Sequence, residues 1–553
     1  MFSRLFPNPN ERHDALILPR GGPRPGKGAL IDEGTVLVLS SRHRLWQRYG
    51  ADGVFAVERA VGELLEAMSQ RGLMGMLVYA DDSPLLTRLG ILPANTGQPE
   101  SVARLVRALC GRMAYMEASP KYVLILGDEG IVPFGRLANP SPDDEAAVST
   151  DEIYGQQVDG WPASQAPFNS TRAVGRIPDG CGALEMFISS IRMAAVAHRR
   201  LAAGAKPRLA AEAWGYSASV WRRAARGAFA AVGEPRSLRL SPPLTHVEAP
   251  QPGAGGPRFR YYNLHGLVDS PNWFGQTDPS FPADYPTFPV ALRPEDMAAA
   301  PGSVLFSAAC FGAHLGQRRV HESVALTALA GGALAFVGAT GVAYGGLDGP
   351  LVAADLLAFR FWEAVLQGAP AGQALRQAKQ KLTAEALRRQ GYIDAEDEKT
   401  ALNFVLYGDP SLVHHLPSVW TEDGWMASPA AEVVEPAGPA VLVGTLPVRP
   451  HSTTDGPSRK RRSGSELAEH VRTAVARRLP HFATGEAEVA LAPALSGHSQ
   501  AKGAGDAAPG ALNQGAVVTF TKSLPTCDGP TCHEVLRVTV DGDGRIRKMI
   551  LSR

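Results

Sequence analysis

Two stretches decide the fold: residues 259–266 read FRYYNLHG and residues 304–312 read VLFSAACFG. Each is a short run of apolar and aromatic residues that ends abruptly in a reactive side chain beside a glycine. One gives His265-Gly266 and the other Cys310-Phe311-Gly312. Runs of four to eight such residues, bounded by turn residues, read as strands buried on both faces. Similar runs lie at 35–39 (TVLVL), 74–79 (MGMLVY), 122–126 (YVLIL), 208–212 and 333–337 (ALAFV). Between them, residues 55–69, 101–113, 184–199 and 220–232 carry apolar positions at helical spacing, and 351–366 and 371–389 follow the last run. Strand–helix alternation predicts an α/β fold with a mostly parallel sheet and helices on both faces.

In an open parallel sheet, the C-terminal strand ends share one rim, where ligands bind. Two neighbouring strands that each deliver a reactive group there bring an imidazole and a thiol together. A free thiol ionises near pH 8.5, and only the thiolate is strongly nucleophilic, so a cysteine nucleophile needs a base beside it. Gly266 lets a backbone N–H approach a substrate oxygen, as an oxyanion hole requires. Spacing alone leaves other readings open. Buried cysteine is often only a small hydrophobe, and a histidine at a strand end is often structural. Zinc is the chemical rival, because Cys310 and His314 are four residues apart and His321 follows. Gly312 and Gly316 argue against the helix that pairing needs, and Cys527 and Cys532 fall in another module. No metal and no cofactor is expected.

The chain has 553 residues, 45% hydrophobic and 20% charged, with a formal net charge of +1. That length predicts several domains. The charge balance argues against nucleic acid or a membrane surface as the main partner. Five cysteines, at 110, 181, 310, 527 and 532, do not make a disulfide framework and fit a reducing compartment. The first residues lack a secretory apolar run, and no run of about 20 apolar residues is present to span a membrane. A cytoplasmic location is expected.

The texture divides the chain into an N-terminal α/β subdomain (1–120), a catalytic domain (121–415), a linker (416–464) and a small α+β module (465–553). Prolines recur in the linker from Pro417 to Pro457, and it closes on the basic run Arg459–Arg462. A short apolar piece at 440–443 reads as a stray strand. In the last module, 465–478 reads as a helix capped by Ser465, 483–515 is rich in Ala and Gly, and 516–521, 535–540 and 546–551 read as strands.

The order of motifs resembles one family. YVLILGDEGIVPFG (122–135), STDEIYGQQVDG (149–160), AVGRIP (173–178), NLHG (263–266), SAACFGAHLG (307–316), GGALAFVGATGVAYGG (331–346) and LYGDPSL (406–412) resemble, in sequence, the motifs of the gingipain-type cysteine peptidases, which belong to the caspase-like class. The resemblance covers roughly residues 120–413. It implies a caspase-like fold, Cys310 as nucleophile, His265 as general acid/base, and an oxyanion hole from the N–H groups of Gly266 and Cys310. It also implies that Asp151 lies in the S1 pocket and selects a basic P1 residue, consistent with charge-assisted pairing to a guanidinium. Aspartate also caps turns, so a structural role for Asp151 stays open. Tyr344 corresponds to a pocket wall. The family's histidine-orienting acid falls near Asp143, Asp144 and Glu145.

The expected function is a cysteine endopeptidase cutting proteins after Arg or Lys in regulated intracellular proteolysis. The basic run in the linker is a candidate self-cleavage site, and the last module a candidate for binding a regulatory partner. The alternatives are an inactive caspase-like scaffold and a Cys-His acyltransferase.

Overall fold

The computed structural model describes residues 34–415 and 464–553, apart from 83, 116–117, 158–167, 169, 205–212, 280, 283–284, 298–299, 485–486, 492–514 and 542–543. The linker's apolar piece, the basic run Arg459–Arg462 and the run 208–212 lie outside the described residues. So does most of 483–515.

Ten strands form one sheet. From edge to edge they are Met74–Tyr79, Thr35–Ser40, Tyr122–Leu126, Ala173–Ile177, Phe404–Gly408, Ala335–Ala339, Val304–Ser307, Phe259–Asn263, Trp214–Ala218 and Arg239–Ser241. All neighbours are parallel except Ala335–Ala339 against Phe404–Gly408. The sheet is therefore two parallel halves of opposite direction. Thr35–Ser40 and Met74–Tyr79, read as part of an N-terminal subdomain, are strands of this same sheet.

The burial pattern explains the sequence runs. Every residue of Thr35–Ser40, Tyr122–Leu126, Phe259–Asn263 and Val304–Ser307 is buried, so no polar–apolar alternation is available to read. Alternate residues serve opposite faces. Phe259, Tyr261, Val304 and Phe306 pack under the helices Ala353–Leu366 and Ala371–Gln390. Tyr262, Leu264 and Leu305 face the other way, into a core shared with the helix Val324–Ala330. Each large apolar side chain buried this way contributes about 1.5–3 kcal/mol.

The last module is α+β, as expected. Its helix Gly464–Ala476 covers four antiparallel strands, Ala487–Leu491, Ala516–Pro525, Thr531–Val540 and Ile546–Ser552. Its core residues Val471, Phe520, Leu536, Val538 and Leu551 join the same cluster as Trp221, Trp273 and Leu305. Its sheet is also extended by a strand from the other side of the linker. Tyr344–Gly346 pairs antiparallel with Ile546–Ser552, with Tyr344 opposite Ser552, Gly345 opposite Leu551 and Gly346 opposite Ile550.

Candidate active site

His265 and Cys310 follow adjacent parallel strands and reach the same rim. Their backbones touch: a Cβ on Gly266 would lie 2.0 Å from the Cys310 carbonyl oxygen. A glycine is therefore required there for steric reasons as well as for its N–H. The chain turns sharply after the cysteine. Phe311 takes a positive φ of 55°, costly for a bulky residue, and its N–H donates to the Gly341 carbonyl at 2.9 Å.

His265 is fully buried between aromatic rings, its centroid 4.5 Å from Trp221 and 5.1 Å from Phe288. Nε2 is 2.8 Å from Gln276 Oε1, and Gln276 Nε2 donates to Glu534 at 2.8 Å. The amide's orientation toward Glu534 makes its oxygen face the ring, so Nε2 carries the proton and Nδ1 is the free base. Cys532 Sγ lies 3.7 Å from that Nδ1. Burial pushes the imidazole down to about 4, against the upward pull of the Glu534 carboxylate. Asp143 and Glu145 do not orient the histidine. They bind Lys399 at 2.7 and 2.5 Å, and hold the loop 341–344 through the Tyr344 hydroxyl (2.6 Å to Asp143) and the Val342 N–H (2.7 Å to Glu145). The orienting pair Gln276–Glu534 was not read from the sequence. Gln276 carries no motif, and Glu534 comes from the last module, 258 residues away.

Cys310 Sγ accepts N–H bonds from Ala343 and Arg553, each at 3.1 Å. Burial raises the thiol to about 12 despite these bonds. Cys310's own N–H donates to the Arg553 carbonyl at 3.1 Å. The Arg553 side chain runs into a closed pocket. Its guanidinium is 2.5 Å from Asp355 and lies over Trp221, 5.2 Å from the ring centroid. A Cβ at Gly345 would collide with it. Asp355 is held in turn by the Gly346 N–H at 2.8 Å.

Tyr344, expected at a pocket wall, is fully buried and packs with Val352, Ala353 and Ile550. Asp151 is placed differently from the expectation. Its carboxylate is buried and takes both a 2.9 Å and a 2.5 Å bond from the Arg176 guanidinium, which is itself fully enclosed. A carboxylate already paired with an interior arginine has no free charge to offer a substrate, so the structure does not present Asp151 as an S1 acid. Residues 311–313 form a turn and not a helix, and the His314 ring lies against Phe311. Among the described residues, no helix is long and apolar enough to cross a membrane.

Residues 298–415, which carry Cys310 and the loop 341–344, match the model of peptidase family C25. Over that stretch the resemblance to gingipain-type cysteine peptidases holds. Solved structures that resemble the chain include the Arg-specific cysteine proteinase gingipain R, at 13% identity and a TM-score of 0.45, covering 69% of this chain and 78% of that one. Another is a structure described simply as a protease, at 13% identity and a TM-score of 0.45, covering 70% and 80%. A third is the Saccharomyces cerevisiae separase–securin complex, at 13% and 0.26, covering 43% and 14%. No curated protein sequence matches the chain.

Proposed function

We propose that the chain is a cysteine endopeptidase that cuts protein substrates after basic residues. The observation that carries this reading is the joint delivery of His265-Gly266 and Cys310 to one rim by adjacent parallel strands. Attack by Cys310 Sγ on the scissile carbonyl carbon forms the carbon–sulfur bond while the thiol proton passes to Nδ1 of His265. The N–H groups of Cys310 and Gly266 receive the developing oxyanion. His265 then protonates the leaving amine as the carbon–nitrogen bond breaks. Water, deprotonated by the same Nδ1, hydrolyses the thioester and restores the thiol. Gln276 and Glu534 hold the ring in the tautomer this cycle needs.

Asp151 is left out of this proposal because Arg176 neutralises it. Self-cleavage at Arg459–Arg462, regulated proteolysis in the cytoplasm and the four-part division of the chain belong to the same proposal, on the strength of composition and motif order.

The test maps cut sites by mass spectrometry on an unfolded protein and a peptide library varied at P1. It uses wild type, Cys310→Ala, and Arg553→Glu, in which the last residue no longer matches Asp355. Cuts after Arg or Lys that vanish in Cys310→Ala are expected. If neither wild type nor Arg553→Glu cuts any peptide, the peptidase reading is wrong and the scaffold reading replaces it.

A further inference from the structure

We propose that the strand Ile546–Ser552 together with Arg553 occupies the substrate cleft of its own chain, lying as the acyl-side segment of a substrate lies, and that the pocket of Asp355, Trp221 and Gly345 is the S1 site for an arginine. This deepens the peptidase reading and rests on it.

Three independent contacts define the register. First, the strand pairs antiparallel with Tyr344–Gly346, the wall strand that follows the loop behind Cys310. Adding a strand to an exposed edge is a common way for a protein to grip an extended peptide, with main-chain bonds for affinity and pockets for specificity. Second, the Arg553 carbonyl sits on the Cys310 N–H, where an oxyanion would sit, while the Arg553 N–H points at Sγ. The carbonyl carbon between those two atoms therefore lies beside the sulfur. That placement is the same whether Arg553 bears a free carboxylate or is followed by a further residue. Third, the side chain at this P1 position enters a fully buried pocket with a carboxylate at its end and an indole face along one side. An arginine suits both, pairing with the carboxylate and stacking on the ring. The Tyr261 hydroxyl lies beside the pair. Gly345 keeps the wall clear of the guanidinium.

The rest of the module holds the strand in place. Lys548 pairs with Asp394 at 2.5 Å, Arg537 pairs with Glu396, and the Asn272 amide donates to Asp528 at 2.9 Å. The cleft is thus filled from within, and Cys310 is only 3% exposed. A substrate must displace the strand or wait until it leaves.

The experiment uses the full chain and two readouts that need no catalysis. The first is the rate at which iodoacetamide alkylates Cys310, followed by mass spectrometry. Arg553→Glu should raise it at least about tenfold over wild type. The second is fluorescence anisotropy of a labelled Met-Ile-Leu-Ser-Arg peptide on the Arg553→Glu protein. Saturable binding is expected, and it should be lost when the peptide ends in Glu or when Asp355→Asn is added. Should Asp355→Asn fail to fold, hydrogen exchange on wild type replaces it: a chloromethyl ketone with arginine at P1 should strip protection from residues 546–553. Unchanged alkylation, absent peptide binding or undiminished protection each overturns the proposal. Peptide binding without any peptide cleavage would leave this occupancy standing and sink the peptidase reading instead. Cleavage with unchanged alkylation would do the reverse.

Discussion

The Cys532 sulfur lies 3.7 Å from Nδ1 of His265. The imidazole's nearest thiol in this state therefore belongs to the last module, while Cys310 Sγ is held by the Ala343 and Arg553 N–H groups. Only Cys310 has a backbone N–H aimed at a carbonyl in the cleft, so the two thiols have different expected roles. Cys310→Ala should reduce cleavage by at least about a thousandfold, in line with loss of a nucleophile. Cys532→Ala, which removes a small buried hydrophobe, should leave it within about threefold or raise it. Peptide hydrolysis by the two purified variants decides, and inactivity of Cys532→Ala alone would reassign the nucleophile.

Glu534 acts on His265 through Gln276 and is a positioning residue. Glu534→Ala should lower kcat with little change in KM, by about tenfold to a hundredfold if a charged hydrogen bond contributes about 1.5–3 kcal/mol. Glu534→Gln keeps an acceptor but removes the charge that pulls His265 upward. The imidazole should then titrate below about 4, read from the His265 ring proton by NMR. An unmoved titration would mean that Glu534 serves packing alone.

Asp151 gives a stability prediction in place of a specificity one. Asp151→Ala strands the fully buried Arg176 guanidinium and should cost about 3–5 kcal/mol in urea unfolding. Adding Arg176→Met should recover most of that loss. If Asp151→Ala folds with wild-type stability and loses only affinity for P1 arginine, the pocket role returns.

The depressed His265 sets a pH dependence. Its imidazole is neutral in the fold down to about 4 but takes a proton near 6.5 when unfolded. The unfolded state therefore binds the extra proton between those values, and the contribution present above pH 6.5 is lost as pH falls toward 4. Over that window His265 accounts for on the order of 3 kcal/mol, at about 1.36 kcal/mol per pH unit. His414, pushed down to about 3, acts in the same sense, and Asp128, raised to about 6, opposes it. The measurement is therefore a difference: His265→Gln should flatten the fall in stability between pH 6.5 and 4 relative to wild type. Parallel curves would show that His265 is not depressed.

Gly266 tolerates no side chain. Gly266→Ala would push a methyl into the Cys310 carbonyl and should abolish cleavage while lowering the melting temperature. A fully active Gly266→Ala protein would contradict the backbone packing of the site.

The strand runs ending in His265 and Cys310 were legible because fully buried parallel strands need continuous apolar residues, and a reactive side chain breaking such a run stands out. Trp214–Ala218 was not read because its run, WGYSA, is interrupted by Gly and Ser. Phe404–Gly408, whose reversed direction divides the sheet, gave no sign of orientation in its residues. The Asp151–Arg176 pairing was not legible, because a motif position does not show which charge stands across from it.

The sequence by itself determined the α/β class and marked His265, Gly266 and Cys310 as the residues that end two of its buried strands. These are local properties: strand composition, an interrupted run, a missing side chain. Only the tertiary structure decided that Gln276 and Glu534 orient the histidine, that Asp151 is neutralised by Arg176, and that Arg553 lies between Cys310 and Asp355. Each is a pairing of charges or hydrogen-bonding groups across tens to hundreds of residues. Which partners meet is set by burial in a shared core and by the antiparallel pairing of Tyr344–Gly346 with Ile546–Ser552.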